Sequence, residues 1–402
     1  MKMSVAFFVF LKKKGEFLVL EKVNQVPIKF VFGKGSLKNI GVLTKSYGKR
    51  AFVVTGRSST KKTGVLDRVI GYLKEKDIDT VVFDEVESNP LTTTVKRAAS
   101  LLKEHECDVV IGLGGGSSMD AAKCIAFSAV NEGDISDYIF GKEGKNALPI
   151  IAITTTAGTG SEGDSLAVLT NPETKDKKSL KSPYIYPKVS IIDPELMMTL
   201  PSSMIAATGF DALSHSVEAF LAKNSRSDIE EMALEAIGLL FKFLPKVYKN
   251  STDTESWEKV AYANTIGGIV IDQAGVVLPH GMEHPVSGLL NATHGEGLAA
   301  LFPKILEFSY KGCQEKFLRM AKVIGIEEQG LTKEEAALQC VKAFEKLLKA
   351  LDLQVTLSQL GVKETHVDWL VENAMKTMTY AISNHPIPCK EKSLKELYVA
   401  CL

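Results

Sequence analysis

The run Asp108-Val109-Val110-Ile111-Gly112-Leu113-Gly114-Gly115-Gly116-Ser117-Ser118-Met119 reads as a buried strand that ends in a glycine-rich turn and hands over to a helix at Met119. Its apolar part shows no polar alternation, the pattern of a strand covered on both faces. Gly114, Gly115 and Gly116 let the backbone turn tightly and approach a ligand closely. The following helix start offers free amides and a partial positive charge, which suit a pyrophosphate. Ser117 stands where it can cap that helix or bond a phosphate directly, with Ser118 beside it. The Gly-Lys-Ser/Thr ending of a Walker A loop is missing, and a plain strand-to-helix turn would share these glycines.

The same alternation continues on either side. Lys29–Phe32 is a strand, after which Ser36 is expected to cap a short helix through Leu43. Arg50–Thr55 is a buried strand with its turn at Gly56-Arg57-Ser58-Ser59. A helix over 64–76, a strand over 79–83 and a helix over 92–105 follow, the last set off by Asn89-Pro90. Pro149–Ile153 leads into Thr154-Thr155-Thr156-Ala157-Gly158-Thr159-Gly160-Ser161-Glu162. This second loop also lies at a strand end, where open α/β sheets bind ligands, and its hydroxyls suit ribose or phosphate. Local hydrogen bonding within the loop would explain the threonines too. Two such loops together point to a dinucleotide.

The alternation predicts an α/β, Rossmann-like domain with a parallel sheet between helices. Past Ser202 helical periodicity takes over, so an all-α domain follows. The expected seam is near residue 195, giving a dinucleotide-binding domain over 1–195 and a helical metal-binding and catalytic domain over 196–402. Within the first, 1–25 reads as a hairpin extension: apolar runs at 5–11 and 17–20 flank a turn at Lys14-Gly15-Glu16.

The 402 residues hold 48 basic and 48 acidic side chains, a formal net charge of zero. Nucleic acid and anionic membrane both require a basic surface, so neither is expected as partner. The six cysteines are scattered without a CxxC pair, which suits a reducing cytoplasm. No stretch approaches the roughly 20 apolar residues of a membrane span.

Four of the seven histidines lie between Gly209 and Gly297: His215, His280, His284 and His294. Asp211 and His215 are four apart in sequence that reads as helix, so they share a face. A surface polar pair would show the same spacing. The histidines, however, interrupt apolar, glycine-marked sequence, which suits a pocket. One Asp and three His make a mixed oxygen–nitrogen shell for a divalent cation.

Taken together, Gly-Gly-Gly-Ser at 114–117, Thr-Thr-Ala-Gly-Thr-Gly-Ser-Glu at 155–162, Asp193-Pro194, Thr208-Gly209-Phe210-Asp211-Ala212-Leu213-Ser214-His215, Pro279-His280 and His294-Gly295 resemble the iron-containing (group III) alcohol dehydrogenase family over about three quarters of the chain. The resemblance implies the dehydroquinate synthase-like architecture and hydride transfer between NADP(H) or NAD(H) and a small or medium primary alcohol or aldehyde. It implies a homodimer, with Asp211, His215, His280 and His294 holding the metal, Fe²⁺ before Zn²⁺. It places His284 near the nicotinamide and substrate. Asn89, Gly114, Gly115, Gly116, Ser117, Ser118, Thr155, Thr156, Thr159, Lys177 and Met204 match cofactor contacts.

Two positions depart from the family pattern. Many NAD-using members carry Asp where this chain has Gly56; an acidic group there accepts the ribose 2′-OH and repels a 2′-phosphate. Gly56 followed by Arg57 and Ser58 therefore favours NADP. Leu166 stands where many members have a polar residue facing the cofactor. The metal carries the main electrostatic load of such chemistry. A bound cation lowers the pKa of a water, a stand-in for an alcohol, from about 16 to about 7. That is roughly 12 kcal/mol as an upper guide.

Three other readings share some of these features. A zinc glycerol dehydrogenase and a dehydroquinate synthase have the same architecture, but the lyase needs basic residues for its acidic substrate. The run from Val276 to Gly295 contains no Lys or Arg. A nucleotide-binding protein without turnover would have no use for the Asp and His set.

Overall fold

The computed structural model describes residues 18–20 (backbone course only), 26–327 and 330–402. The expected hairpin turn and its first strand lie outside these residues. By its internal contacts the chain forms two compact units. One comprises the chain up to Thr156 with Gly160–Pro172 and Ser179–Thr199. The other comprises Ala157–Thr159, Glu173–Lys178 and Leu200–Leu402. The sequence reading puts a single seam at 195; the short segments 157–159 and 173–178, although early in the chain, count with the helical unit.

The first unit is built on β1 (Leu18–Leu20), β2 (Lys29–Phe32), β3 (Arg50–Gly56), β4 (Asp79–Val86), β5 (Val109–Gly114), β6 (Ile150–Thr154) and β9 (Val189–Ile192); β7 (Leu166–Thr170) and β8 (Lys177–Lys181) form a separate ribbon, of which Lys177 and Lys178 count with the helical unit. The main sheet runs β1-β2-β9-β6-β5-β3-β4, parallel except where β1 pairs antiparallel with β2. Helices α1 (Ile40–Thr44), α2 (Ser59–Lys62), α3 (Val65–Lys74), α4 (Thr92–Glu104), α5 (Gly116–Ser128) and α6 (Ile135–Ile139) connect the strands. Alternate side chains feed two cores. Phe52, Val54 and Val110 join one with α4 and α5; Ala51, Val53, Val109 and Ile111 join the other with α3. Each buried aliphatic or aromatic side chain contributes about 1.5–3 kcal/mol.

Chain order places the ligand crevice. From β3 the chain goes to β4 on one side and then to β5 on the other. Such a reversal opens a crevice at the carboxyl ends of the two diverging strands. Gly56 and Gly114 end those strands.

Ser36 does not cap its helix. Gly35, in the left-handed region, precedes a 3₁₀ turn over Ser36–Asn39. The carboxylate of Asp193 accepts the amides of Gly35 (3.1 Å) and Leu37 (3.2 Å). The cap thus comes from the end of β9, 156 residues beyond Leu37. The strands β7, β8 and β9 also escaped the sequence reading.

The helical unit consists of α7 (Ser202–Leu221), α8 (Ser227–Lys249), α9 (Thr254–Ala274), α10 (Leu278–Leu290), α11 (His294–Ser309), α12 (Gln314–Val323), α13 (Lys333–Ala350), α14 (Val367–Thr377), α15 (Thr379–Asn384) and α16 (Glu391–Ala400). Along most of their length α7 and α9 are buried on every side, as befits helices at the centre of a bundle. The helix α10 carries Pro279 in its first turn and Pro285 inside it, and these with Gly281 and Gly288 hide its period. Among the described residues no single helix is long and apolar enough to cross a membrane. The bent pair α9 and α10 meets at 102° and is almost wholly buried in the helical unit.

Candidate metal centre and cofactor cradle

Three helices of the second unit supply the histidine cluster. Asp211 and His215 lie one turn apart on α7, His280 and His284 one turn apart on α10, and His294 opens α11. The start of α11 presses on α7: a Cβ on Gly295 would stand 2.0 Å from the Ala207 carbonyl oxygen. Only glycine permits that approach, which brings His294 towards Asp211.

Asp211 Oδ1 lies 3.7 Å from His215 Nε2, 3.5 Å from His280 Nε2 and 3.6 Å from His294 Nε2. Four ligands at about 2.0–2.2 Å from a tetrahedral cation stand about 3.3–3.6 Å apart. The spacings are too long for good hydrogen bonds and lie close to the three edges that Asp211 would share in such a tetrahedron; Asp211, His215 and His280 also bring donor atoms within 4.8 Å of one another. Asp211 Oδ1 and His280 Nε2 are buried without a hydrogen-bond partner. Buried polar atoms without partners are costly, and a shared cation would satisfy both. The donor set therefore fits a divalent metal.

The outer ring nitrogens are held by groups the sequence reading missed. Glu218, on the same helix as Asp211 and His215, approaches His280 Nδ1 at 2.5 Å through Oε1. Its Oε2 accepts the amides of Val277 (2.8 Å) and His280 (3.3 Å), fixing the start of α10. Glu283 pairs with His294 Nδ1, accepts the Ser287 hydroxyl and lies 3.7 Å from Lys177 Nζ. Gly158 O lies 3.3 Å from His215 Nδ1. These contacts set each ring's orientation and aim its Nε2 at Asp211. Glu218 was legible in principle: it follows His215 by three residues, on the same helix face. The substitution Glu218→Gln is expected to weaken metal binding by about 10–100-fold. Competition against a chelator of known affinity measures it, and unchanged affinity would remove Glu218 from the site.

Electrostatics keep the His215 and His284 rings neutral, whereas the His280 ring is held charged by its carboxylate neighbours. Burial pushes His215 down to about 3 despite the attraction of Asp211, and it also holds His284 well below its ordinary value, helped by Lys177. Burial works against charge on His280, but Glu218 and Asp211 outweigh it and raise that ring to about 10. Burial would likewise raise Asp211 and Glu283. Instead His215, His294 and His280 depress the first, and His294 and Lys177 the second. With a divalent cation, the charges of Asp211, Glu218, Glu283 and Lys177 sum to zero. Glu283, His284 and His294 also bring donor atoms within 4.8 Å of one another. The Lys177 ammonium beside Glu283 makes a second cation there unfavourable.

The glycine loop of the first unit forms a separate cradle. Gly114 has φ +147°, and a Cβ there would lie 2.6 Å from Ser118 Oγ; one on Gly115 would lie 3.0 Å from Thr156 Oγ1. The Thr155 amide donates to Gly114 O (2.9 Å), tying the two loops together. The helix begins at Gly116, not Met119, with Gly115 at its cap. Ser117 neither caps it nor offers a free hydroxyl, since its Oγ donates to Ser88 O. Side chains at 114 and 115 would collide with Ser118 and Thr156, so glycine lets the two loops pack together at the start of α5, whose free amides suit the pyrophosphate of a dinucleotide.

The remaining expected residues are dispersed. Gly56 and Asn89 are half-buried, and Arg57 and Ser58 are exposed, all in the first unit. Thr159, Lys177 and Met204 belong to the helical unit. Met204 is an exposed side chain in the first turn of α7. Lys177 is buried, with Nζ 3.4 Å from His294 Nδ1. Its charge is engaged by Glu283, which the ribose reading did not include.

Residues 27–194 match the family described as iron-containing alcohol dehydrogenase, and 205–402 match the C-terminal part of the Fe-containing alcohol dehydrogenase family. The chain belongs to the iron-containing alcohol dehydrogenase family. Among its relatives, the NAD-dependent methanol dehydrogenase of Bacillus methanolicus is 35% identical over 87% of this chain and 92% of its own length. The NADPH-dependent butanol dehydrogenase of Clostridium saccharobutylicum is 33% identical over 87% of this chain and 90% of its own. The crystal structure of ADH/D1, an archaeal halo-thermophilic alcohol dehydrogenase from a Red Sea brine pool, in its NZQ-bound form superposes with a TM-score of 0.89 at 34% identity, covering 98% of this chain and 100% of that one. The chain is an NAD(P)-dependent alcohol dehydrogenase.

Proposed function

We propose that this dehydrogenase interconverts small or medium primary alcohols and aldehydes on Fe²⁺ held by Asp211, His215, His280 and His294, with NADP(H) preferred and NAD(H) accepted. The observation that carries the metal assignment is Asp211 Oδ1 at 3.5–3.7 Å from three imidazole Nε2 atoms, with two of the four donors buried and unpaired. When bound, the cation stabilises negative charge on the substrate oxygen, and the nicotinamide exchanges the hydride. Glu218, Glu283 and the Gly158 carbonyl keep the donor nitrogens aimed. The alcohol proton leaves through His284, whose Nδ1 is buried and unpaired, or through water. In the first unit, residues 1–195 in outline, Gly114, Gly115, Gly116, Ser118, Thr155 and Thr156 cradle the dinucleotide. Gly56 and Arg57 admit a 2′-phosphate, and Asn89, Thr159, Lys177 and Met204 complete the cofactor set.

Lys177, whose Nζ lies 3.4 Å from His294 Nδ1, is offset by Glu283, which supports a neutral substrate over the acidic one of a synthase-like lyase. The six unpaired cysteines suit a cytoplasmic enzyme, and a homodimer is the working assembly. The test is butyraldehyde reduction by chelated protein before and after anaerobic Fe²⁺, with NADPH and NADH in parallel and Zn²⁺ as a control. Recovery with Fe²⁺ and faster turnover with NADPH is expected. Recovery with a preference for NADH would remove the Gly56 argument, and no recovery with any metal or aldehyde would return the lyase.

A further inference from the structure

Gly56 leaves the end of β3 without an acidic side chain, but a carboxylate reaches the same place from the neighbouring strand. Gly56 and Val86 are register partners at the carboxyl ends of β3 and β4, so Glu87 is the first residue past the sheet beside Gly56. Glu87 Oε1 accepts the Thr94 hydroxyl at 2.8 Å and lies 3.8 Å from Arg57 Nη2. Its Oε2 is buried and has no hydrogen-bond partner. The next residue, Ser88, receives the Ser117 hydroxyl at the start of α5, which ties this segment to the glycine loop. Around Gly56 the space is open: a Cβ there would meet only Val86 O at 3.8 Å and Ser118 Oγ at 4.0 Å.

We propose that Glu87 is a specificity-determining residue for the nicotinamide cofactor, using its unpaired oxygen to accept a ribose hydroxyl and its charge to hold Arg57 back from a 2′-phosphate. The inference rests on the dinucleotide reading of the cradle. A dinucleotide without the 2′-phosphate supplies a donor that Oε2 otherwise lacks. A 2′-phosphate meets a carboxylate instead and must draw Arg57, itself largely exposed, out of its pair. Lys61, a further cation in the helix after this turn, is occupied by Asp84. Glu87 thus works against the preference that Gly56 and Arg57 create and keeps NAD(H) usable.

The experiment measures dissociation constants for NADH and NADPH by nucleotide fluorescence, in the wild type and in Glu87→Gln. Glutamine keeps the size of the side chain and its bond from Thr94. NADH is expected to weaken about tenfold, the scale of one hydrogen bond to a charged group. NADPH is expected to tighten by about tenfold as Arg57 is released. The ratio of kcat/KM for the two cofactors should move by about a hundredfold in the same direction. Glu87→Ser, which removes the charge by truncation, should shift the ratio the same way and serves if the glutamine variant does not fold. A wild type that binds both nucleotides, with variants whose ratio is unchanged, overturns the role of Glu87 alone. A wild type that binds neither nucleotide overturns the cradle reading and this inference together.

Discussion

The substitution His280→Ala is expected to leave a folded protein that retains almost no metal and has lost activity by at least about a thousandfold. A bound cation supplies several kcal/mol of charge stabilisation, and each 1.4 kcal/mol is a factor of ten in rate. His280 is held on three sides: Glu218 fixes its Nδ1 and its amide, the His215 ring stacks on it at 4.5 Å, and its Nε2 is turned towards Asp211. Its removal also leaves Glu218 and Asp211 buried with one fewer neighbour to offset their charge. Asp211→Asn keeps the shape of the site and should lose metal for a different reason, the missing charge. Metal content by elemental analysis, far-ultraviolet circular dichroism and anaerobic assays after Fe²⁺ addition check each part. Full turnover by a verified metal-free His280→Ala protein would end the metal-centre reading.

A second large effect belongs to stability and lies in the sheet unit. Lys123 is completely buried, and its Nζ donates to Asp164 Oδ1 (2.6 Å), Ser161 Oγ (2.9 Å) and Leu166 O (2.8 Å). One turn earlier on α5, Asp120 accepts the Ser161 hydroxyl and the Val168 amide. The pair anchors the chain just beyond the threonine loop. Lys123→Met removes the buried cation paired with Asp164, so about 3–5 kcal/mol of stability should be lost. The double substitution Lys123→Met with Asp164→Leu should recover most of it, because a packed apolar pair avoids the cost of burying charge. Guanidinium unfolding followed at the first transition measures both. A single variant as stable as the wild type would show that the ion pair is not structurally required.

The legible parts of this molecule were those written in short-range spacing. The strand–glycine–helix run at 108–119 and the Asp211/His215 pair needed only neighbours a few residues away. The resemblance supplied the meeting of His280 and His294 with that pair. What stayed hidden was long-range or disguised. The Asp193 carboxylate that caps the turn at Gly35 and Leu37 lies more than 150 residues downstream, so local reading chose Ser36. Glu218 and Glu283 looked like ordinary polar positions because nothing in a linear reading marks which ring nitrogen they will face. Glu87 was overlooked because the discriminating carboxylate was sought on β3, and it stands at the end of the adjacent strand. The helix α10 was concealed by its own prolines and glycines, although Pro279 falls where a missing amide does no harm.

The chain's repeated passage between units has a consequence for modularity. The family boundaries, 27–194 and 205–402, invite treatment of the C-terminal part as a cassette to be excised or exchanged. A fragment cut at residue 200 would lack Gly158, whose carbonyl steadies His215, and Lys177, the cation that offsets Glu283. It would also lack Asp176, which receives Asn373 Nδ2 and Lys376 Nζ at 2.8 Å each. Recombination between relatives at that boundary would pair each helical bundle with foreign versions of these two segments. Crossover points that preserve function must carry residues 157–159 and 173–178 along with the bundle they complete.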